Sequence, residues 1–125
     1  MDRHLYDRGL AKRRQVLGDA YVERALADLD DFNRDFQRLV TEYCWGEVWA
    51  DETLPPRERS ILTLGMVASI GRMGEFANHL RGARANGVTP SELRAVLVQI
   101  AIYCGIPVGA DCFQVAKTIL SESKG

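Results

Sequence analysis

Apolar residues recur along this chain with the three- and four-residue spacing of helices from end to end. Leu5, Leu10, Val16 and Leu17 predict a short first helix closed by Gly18, a residue that readily takes the left-handed position after a helix. From Asp19 the positions Val22, Leu26, Leu29, Phe32, Phe36, Leu39 and Tyr43 predict one long amphipathic helix, capped by Asp19. That helix should stop near "CWGEVW", where Gly46 interrupts and two tryptophans each bring a large apolar area and a single donor. In "LPPRERS" Pro55 and Pro56 mark the next start, because a proline in the first turn sacrifices no hydrogen bond.

"SILTLGMVASIG" continues that helix, apolar on nearly every side and ended by Gly71. A helix apolar all round must be covered all round, which a domain this small cannot do alone, so the pattern predicts an obligate homo-oligomer. The segment from Gly74 to Asn86 places Phe76, Leu80 and Ala83 on one stripe and stops at Gly87. In "TPSE" Thr89 caps, Pro90 opens and Glu92 reaches back, a capping box for a helix carrying Leu93, Val96, Leu97, Ile100 and Cys104. "GIP" breaks it, and a last helix carries Ala110, Phe113, Ala116, Ile119 and Leu120. The expected fold is all-α, a single-domain array of about six helices over residues 1–125, without βαβ alternation, a Gly-rich phosphate loop, repeats or a low-complexity linker.

At 46% apolar residues the 125-residue chain supports one real core. The net charge of -1 comes from acids and bases spread along the whole length, so no basic patch points to nucleic acid. No apolar run is long enough for a bilayer, and "MDRHLYDRGLAKRRQ" lacks the apolar core of a signal peptide, so the expected location is cytoplasmic. Cys44, Cys104 and Cys112 form no CxxC pair or chelating spacing, and His4 and His79 are the only imidazoles, so no metal is expected. Glu75 and His79, four apart, lie one turn above each other on the same helix. His79 borders the Phe76 stripe and Glu75 falls just outside it. On spacing alone this is a polar contact that supports a helix.

"RRQVLGDAYVERA", "YCWGEVW", "LPPRERSILTLGMVASIGR", "EFANHLRGARANGVTPSEL" and "VLVQIAIYCGIP" follow one another in an order that resembles the γ-carboxymuconolactone decarboxylases, a branch of the alkylhydroperoxidase D-like superfamily. The resemblance covers nearly the whole chain. It implies an alkylhydroperoxidase D-like helical fold and a ring-like homo-oligomer, commonly a hexamer. It also implies cofactor-free decarboxylation of γ-carboxymuconolactone to β-ketoadipate enol-lactone in the protocatechuate branch of aromatic catabolism. The redox members of the superfamily carry a CxxC pair shortly before the histidine. Here the residues between Glu75 and His79 are "FAN", so the thiol peroxidase activity is not expected. Cys104 stands in "AIYCGIP" where the family pattern leads us to expect a small residue, and reads as packing.

The implied reaction matches the residue types. The departing carboxylate sits on a ring carbon conjugated through a double bond to the lactone carbonyl, so the substrate is its own electron sink and a dienolate forms. An enzyme must hold the second carboxylate, strip water from the first, stabilise the enolate oxygen and deliver a proton. With the resemblance in hand, His79 and Glu75 become the catalytic candidates. A protonated His79 as donor would limit activity on the alkaline side. Arg57, Arg59, Arg72 and Arg81 are available anion binders, of which Arg59 and Arg81 fall inside the matching segments as candidates for binding a small dicarboxylate lactone. Trp45, Trp49 and Tyr103 are candidate pocket walls, with core packing as the competing role. Two other readings stand beside this one: a divergent thiol redox protein, and a non-catalytic oligomer that binds a small acid.

Overall fold

The computed structural model describes residues 3–122. It is built from α1 (Arg3–Leu17), α2 (Asp19–Ala27), α3 (Arg34–Leu39), a π-helix (Val40–Trp49), α4 (Pro56–Ser69), α5 (Met73–Ala85), α6 (Pro90–Cys104) and α7 (Ile106–Glu122). The all-α array of helices expected from the pattern is the one adopted, while the long second helix expected from Asp19 is divided into α2, α3 and the π-helix. The chain gathers into two compact units, one ending at Pro56 and the other starting at Arg57.

In the first unit α1 ends where Gly18 takes φ 93°, as expected. Gly18, not Asp19, is also the N-cap of α2, while Asp19 lies in the first turn and accepts a hydrogen bond from Arg14 at 3.3 Å. The break after α2 has a local cause. Asp30 Oδ1 accepts from the backbone N–H groups of Phe32 (2.9 Å) and Asn33 (3.0 Å), and Asn33 Oδ1 accepts from the Asp30 N–H at 2.9 Å. Such short polar side chains offer the backbone an alternative to the helical ladder. Of the expected stripe only Val22 is fully buried; Phe32 is 97% exposed and Phe36, Leu39 and Tyr43 also face outward.

Gly46 does not end a helix, contrary to the expectation. The chain winds through it to Trp49 with widened turns, the Ala50 N–H donating to the Trp45 carbonyl five residues back at 3.0 Å. What Gly46 provides is proximity: a Cβ there would lie 2.5 Å from the Leu5 carbonyl oxygen of α1. A contact glycine and a helix-breaking glycine look alike in sequence. Trp45 stacks on Trp49, ring centroids 4.7 Å apart, and both pack with Val16.

In the second unit α4 opens at Pro56 and buries Ser60, Leu64 and Ala68. Leu62 and Met66 on its other face, and Ile70 just after its end, are exposed in the single chain. The α5 stripe of Phe76, Leu80 and Ala83 is fully buried as expected. The Thr89 capping box forms, with Thr89 Oγ1 accepting from the Glu92 N–H at 3.1 Å and Glu92 Oε1 accepting from the Thr89 N–H at 3.0 Å. Glu92 also pairs with Arg57, which ties the first turn of α4 to the first turn of α6. Leu93, Leu97 and Ile100 of α6 enter the core, with Val96 and Cys104 packed against it. Gly105 turns the chain into α7, which buries Cys112, Ala116 and Ile119 but leaves Ala110 and Phe113 of the expected stripe exposed. Among the described residues no helix is long and apolar enough to cross a membrane.

Candidate functional site

His79 is drawn inside by its position on α5. It borders the Phe76, Leu80, Ala83 stripe, so the packing that buries those residues leaves the imidazole only 8% exposed. Glu75, one turn earlier, is exposed. Burial pushes the His79 pKa below its ordinary value of 6.5, and the negative charge of Glu75 pulls in the other direction without prevailing. The imidazole is therefore neutral at pH 7. The neutral ring keeps one N–H donor and one acceptor nitrogen, whereas the expected alkaline limit presumes an imidazolium.

The arginines divide by helix and face. Arg59 is half-buried on α4, next to Ser60, whose fully buried hydroxyl has no hydrogen-bond partner. No sequence signal marks that serine. Arg81 follows His79 by two residues, about 200° round the helix, so the two side chains leave α5 on opposite sides. Arg81 instead bonds Glu122 at the end of α7, at 2.9 Å. Arg57 is held by Glu92 and, at 3.3 Å, by Glu58, and Arg84 donates to the Val88 carbonyl at 3.1 Å, closing the end of α5.

Trp45 and Trp49 belong to the first unit, where both are buried. Tyr103, on α6, is 83% exposed and lines, with Leu62 and Gln99, a shallow groove of about 310 Å³ in the second unit. The second unit thus brings Glu75 and His79 together and sends Arg81 to the far side of their helix.

Two of the three thiols, Cys44 and Cys112, are held toward the protonated form. The apolar surroundings of Cys44 raise its pKa despite the positive charge of Arg13 nearby, even though part of the residue reaches the surface, and Cys112 is pushed up to about 11 by burial, reinforced by Asp111 and Cys104. Among the described residues no group of three or more His, Cys, Asp or Glu side chains gathers as a metal-binding set.

A sequence model of the carboxymuconolactone decarboxylase family matches residues 34–118. The chain belongs to this family. It is 36% identical over 121 residues to a 4-carboxymuconolactone decarboxylase of Acinetobacter baylyi, covering 97% of this chain and 90% of that protein. A nitrosuccinic acid decarboxylase of Metarhizium robertsii is 38% identical over 122 residues, 98% of this chain and 85% of that one. A 4-carboxymuconolactone decarboxylase of Pseudomonas putida is 46% identical over 46 residues, 37% of this chain and 96% of that protein. As a carboxymuconolactone decarboxylase family member the chain carries Trp45, Trp49, Arg59, Glu75, His79, Arg81 and Tyr103 all within the matched span, whereas α1 and α2 lie before it.

Proposed function

We propose that this protein is a cofactor-free carboxy-lyase that converts 4-carboxymuconolactone, the γ-carboxymuconolactone of the resemblance, to β-ketoadipate enol-lactone in the protocatechuate branch of aromatic catabolism. The observation that carries this reading is the similarity to the Acinetobacter baylyi enzyme along 97% of the chain. Loss of carbon dioxide sends the bonding pair through the ring double bond onto the lactone carbonyl oxygen. His79, neutral and shielded from water, donates a hydrogen bond to that oxygen as its charge grows, and Glu75 orients the ring. A proton from water then adds to the ring carbon beside the lactone carbonyl as the electron pair returns from oxygen to carbon, which completes the enol-lactone.

Arg59 holds the carboxylate that stays, and Tyr103, on the same unit, serves as an apolar wall. Arg81, on the side of α5 away from His79, serves a site completed by a second copy of the chain. The assembly is a homo-oligomer, a hexamer; self-association is supported by the exposed apolar residues Leu62 and Met66 of α4, Ile70 just after it, and Val98 and Ile102 of α6. Residues 1–125 work as one domain in the cytoplasm.

The similarity to a nitrosuccinic acid decarboxylase favours a second reading with the same logic. There a nitro group takes the place of the conjugated lactone as electron sink, and the departing carboxylate leaves a nitronate. Both readings are tested by offering each acid to the purified protein and following carbon dioxide release. Rapid release from the lactone, with enol-lactone formation, establishes the first; release from nitrosuccinate alone replaces it with the second.

A further inference from the structure

Arg13 is a buried cation with no counter-ion among the described residues. It sits on α1 and is 6% exposed. One guanidinium N–H donates to Gln37 Oε1 at 3.2 Å, and the group lies 5.7 Å from the centre of the Tyr21 ring. Among the described residues no carboxylate comes within ion-pair distance, and its Nε has no hydrogen-bond partner. Glu42, a buried carboxylate of the same unit, stays out of reach with its own Oε2 unpartnered. Taking a guanidinium out of water without an anion is costly, and a neutral amide with one aromatic ring offsets only part of that cost.

The side chain lines a cavity of about 220 Å³ that lies wholly within the first unit. That volume exceeds a few waters, at roughly 30 Å³ each. One wall is apolar, from Ala25, Leu26 and Leu29, and two more cations, Arg34 and Arg38, line the cavity. Both of these are half-exposed and only loosely committed: Arg34 to Asp31 at 2.6 Å, a fully exposed carboxylate, and Arg38 to Asp35 at 3.6 Å. Exposed pairs of this kind are weak and exchange readily for a better-placed anion.

We propose that this cavity binds a small dicarboxylate. One carboxylate neutralises Arg13 inside, the second meets Arg34 and Arg38, and the short carbon chain lies on Leu26 and Leu29. The apolar wall is what selects an organic acid over a compact inorganic dianion. The site does not rest on the decarboxylase reading, since Arg13, Leu26 and Leu29 precede the residues that the family model matches.

Calorimetry on the full chain at low salt, with succinate as the probe and succinamide and sulfate as comparators, tests it. Succinate should bind once per chain, succinamide should not bind, and sulfate should bind more weakly. The double variant Arg34→Ala/Arg38→Ala, altered only at exposed positions, should weaken succinate by about tenfold or more, as expected for losing charge-assisted hydrogen bonds. Arg13→Met, which replaces an unpaired cation with an apolar chain, should abolish binding while the melting temperature without succinate holds or rises. Unchanged succinate affinity in the double variant overturns the proposal. So does a lowered melting temperature in Arg13→Met, which would make Arg13 a structural contact, or loss of binding in Arg59→Ala, which would place the acid elsewhere. Absence of lactone turnover with succinate binding intact would sink the decarboxylase reading alone.

Discussion

Gly9 of α1 and Gly46 of the π-helix meet backbone to backbone. A Cβ on Gly9 would lie 2.9 Å from the Gly46 amide nitrogen and 1.9 Å from the Thr41 carbonyl oxygen. Neither neighbour is a flexible side chain, so an added methyl group must push the helices apart. Gly9→Ala and Gly46→Ala should each destabilise the protein by about 2–3 kcal/mol, at the upper end of overpacking costs. Urea melts followed by circular dichroism check this, and wild-type stability in either variant would show that the two helices separate freely.

His79→Ala should lower turnover on the order of a hundredfold, and Glu75→Gln by less, with losses that do not add in the double variant. The pH dependence follows from the direction of the shift. The folded imidazole has a pKa below 6.5, so the neutral, donating form prevails at pH 7 and above. His79 should therefore give no alkaline limb above pH 7, since the neutral ring keeps its one N–H, and the shape of the profile there should match that of His79→Ala. An alkaline limb assigned to His79 would restore the imidazolium as proton donor.

The same shift has a consequence for stability. Below the unfolded value of 6.5 the unfolded chain takes up a proton that the folded chain refuses, so stability should fall as pH drops from 6.5 toward the folded pKa. Glu92 acts in a lower window. The Thr89 backbone N–H, and then Arg57, hold its carboxyl down to about 2, so its contribution is present above 4.5 and fades as pH falls toward 2. Glu92→Gln should flatten the stability profile between those values, and His79→Ala the profile just below 6.5. Thermal melts across pH distinguish the two groups.

Replacing Cys44, Cys104 and Cys112 together by alanine should leave substantial turnover, because Cys44 and Cys112 are held above their ordinary pKa and the reaction needs no thiolate. The cost should be structural and centred on Cys112, the fully buried one, on the order of 1 kcal/mol. Steady-state assays beside a melt separate these effects. Complete loss of turnover in a folded triple variant would move the chemistry to sulfur.

The purified protein should elute as a homo-oligomer at micromolar concentration, and Met66→Glu with Ile102→Glu should dissociate it without unfolding the chain. Both residues are exposed in the single chain, at 56% and 71%, so a charge there is harmless to a monomer and ruinous to an apolar contact. Light scattering that finds a stable wild-type monomer would defeat the assembly.

The sequence by itself determined the helices whose signals are local. The Thr89 capping box, the Pro56 start, the Gly18 stop and the Phe76, Leu80, Ala83 stripe all stand where the pattern puts them, because caps, prolines and single-helix stripes are decided within a turn or two. Glu75 and His79 were legible for the same reason, being neighbours on one helix. Tertiary structure decided the rest. The break at Asp30 and Asn33 arose from side chains competing for their own backbone, which an apolar period running on to Tyr43 concealed. Whether Gly46 breaks a helix or admits one depends on what lies against it, and that is α1. Arg13, Arg57 and Arg81 are alike as letters and differ only in what the folded chain sets beside them: a cavity for Arg13, Glu92 for Arg57 and Glu122 for Arg81. The imidazole of His79 is neutral for a similar reason. Desolvation depends on how many atoms surround a group, and the folded packing, not the order of the residues, sets that number.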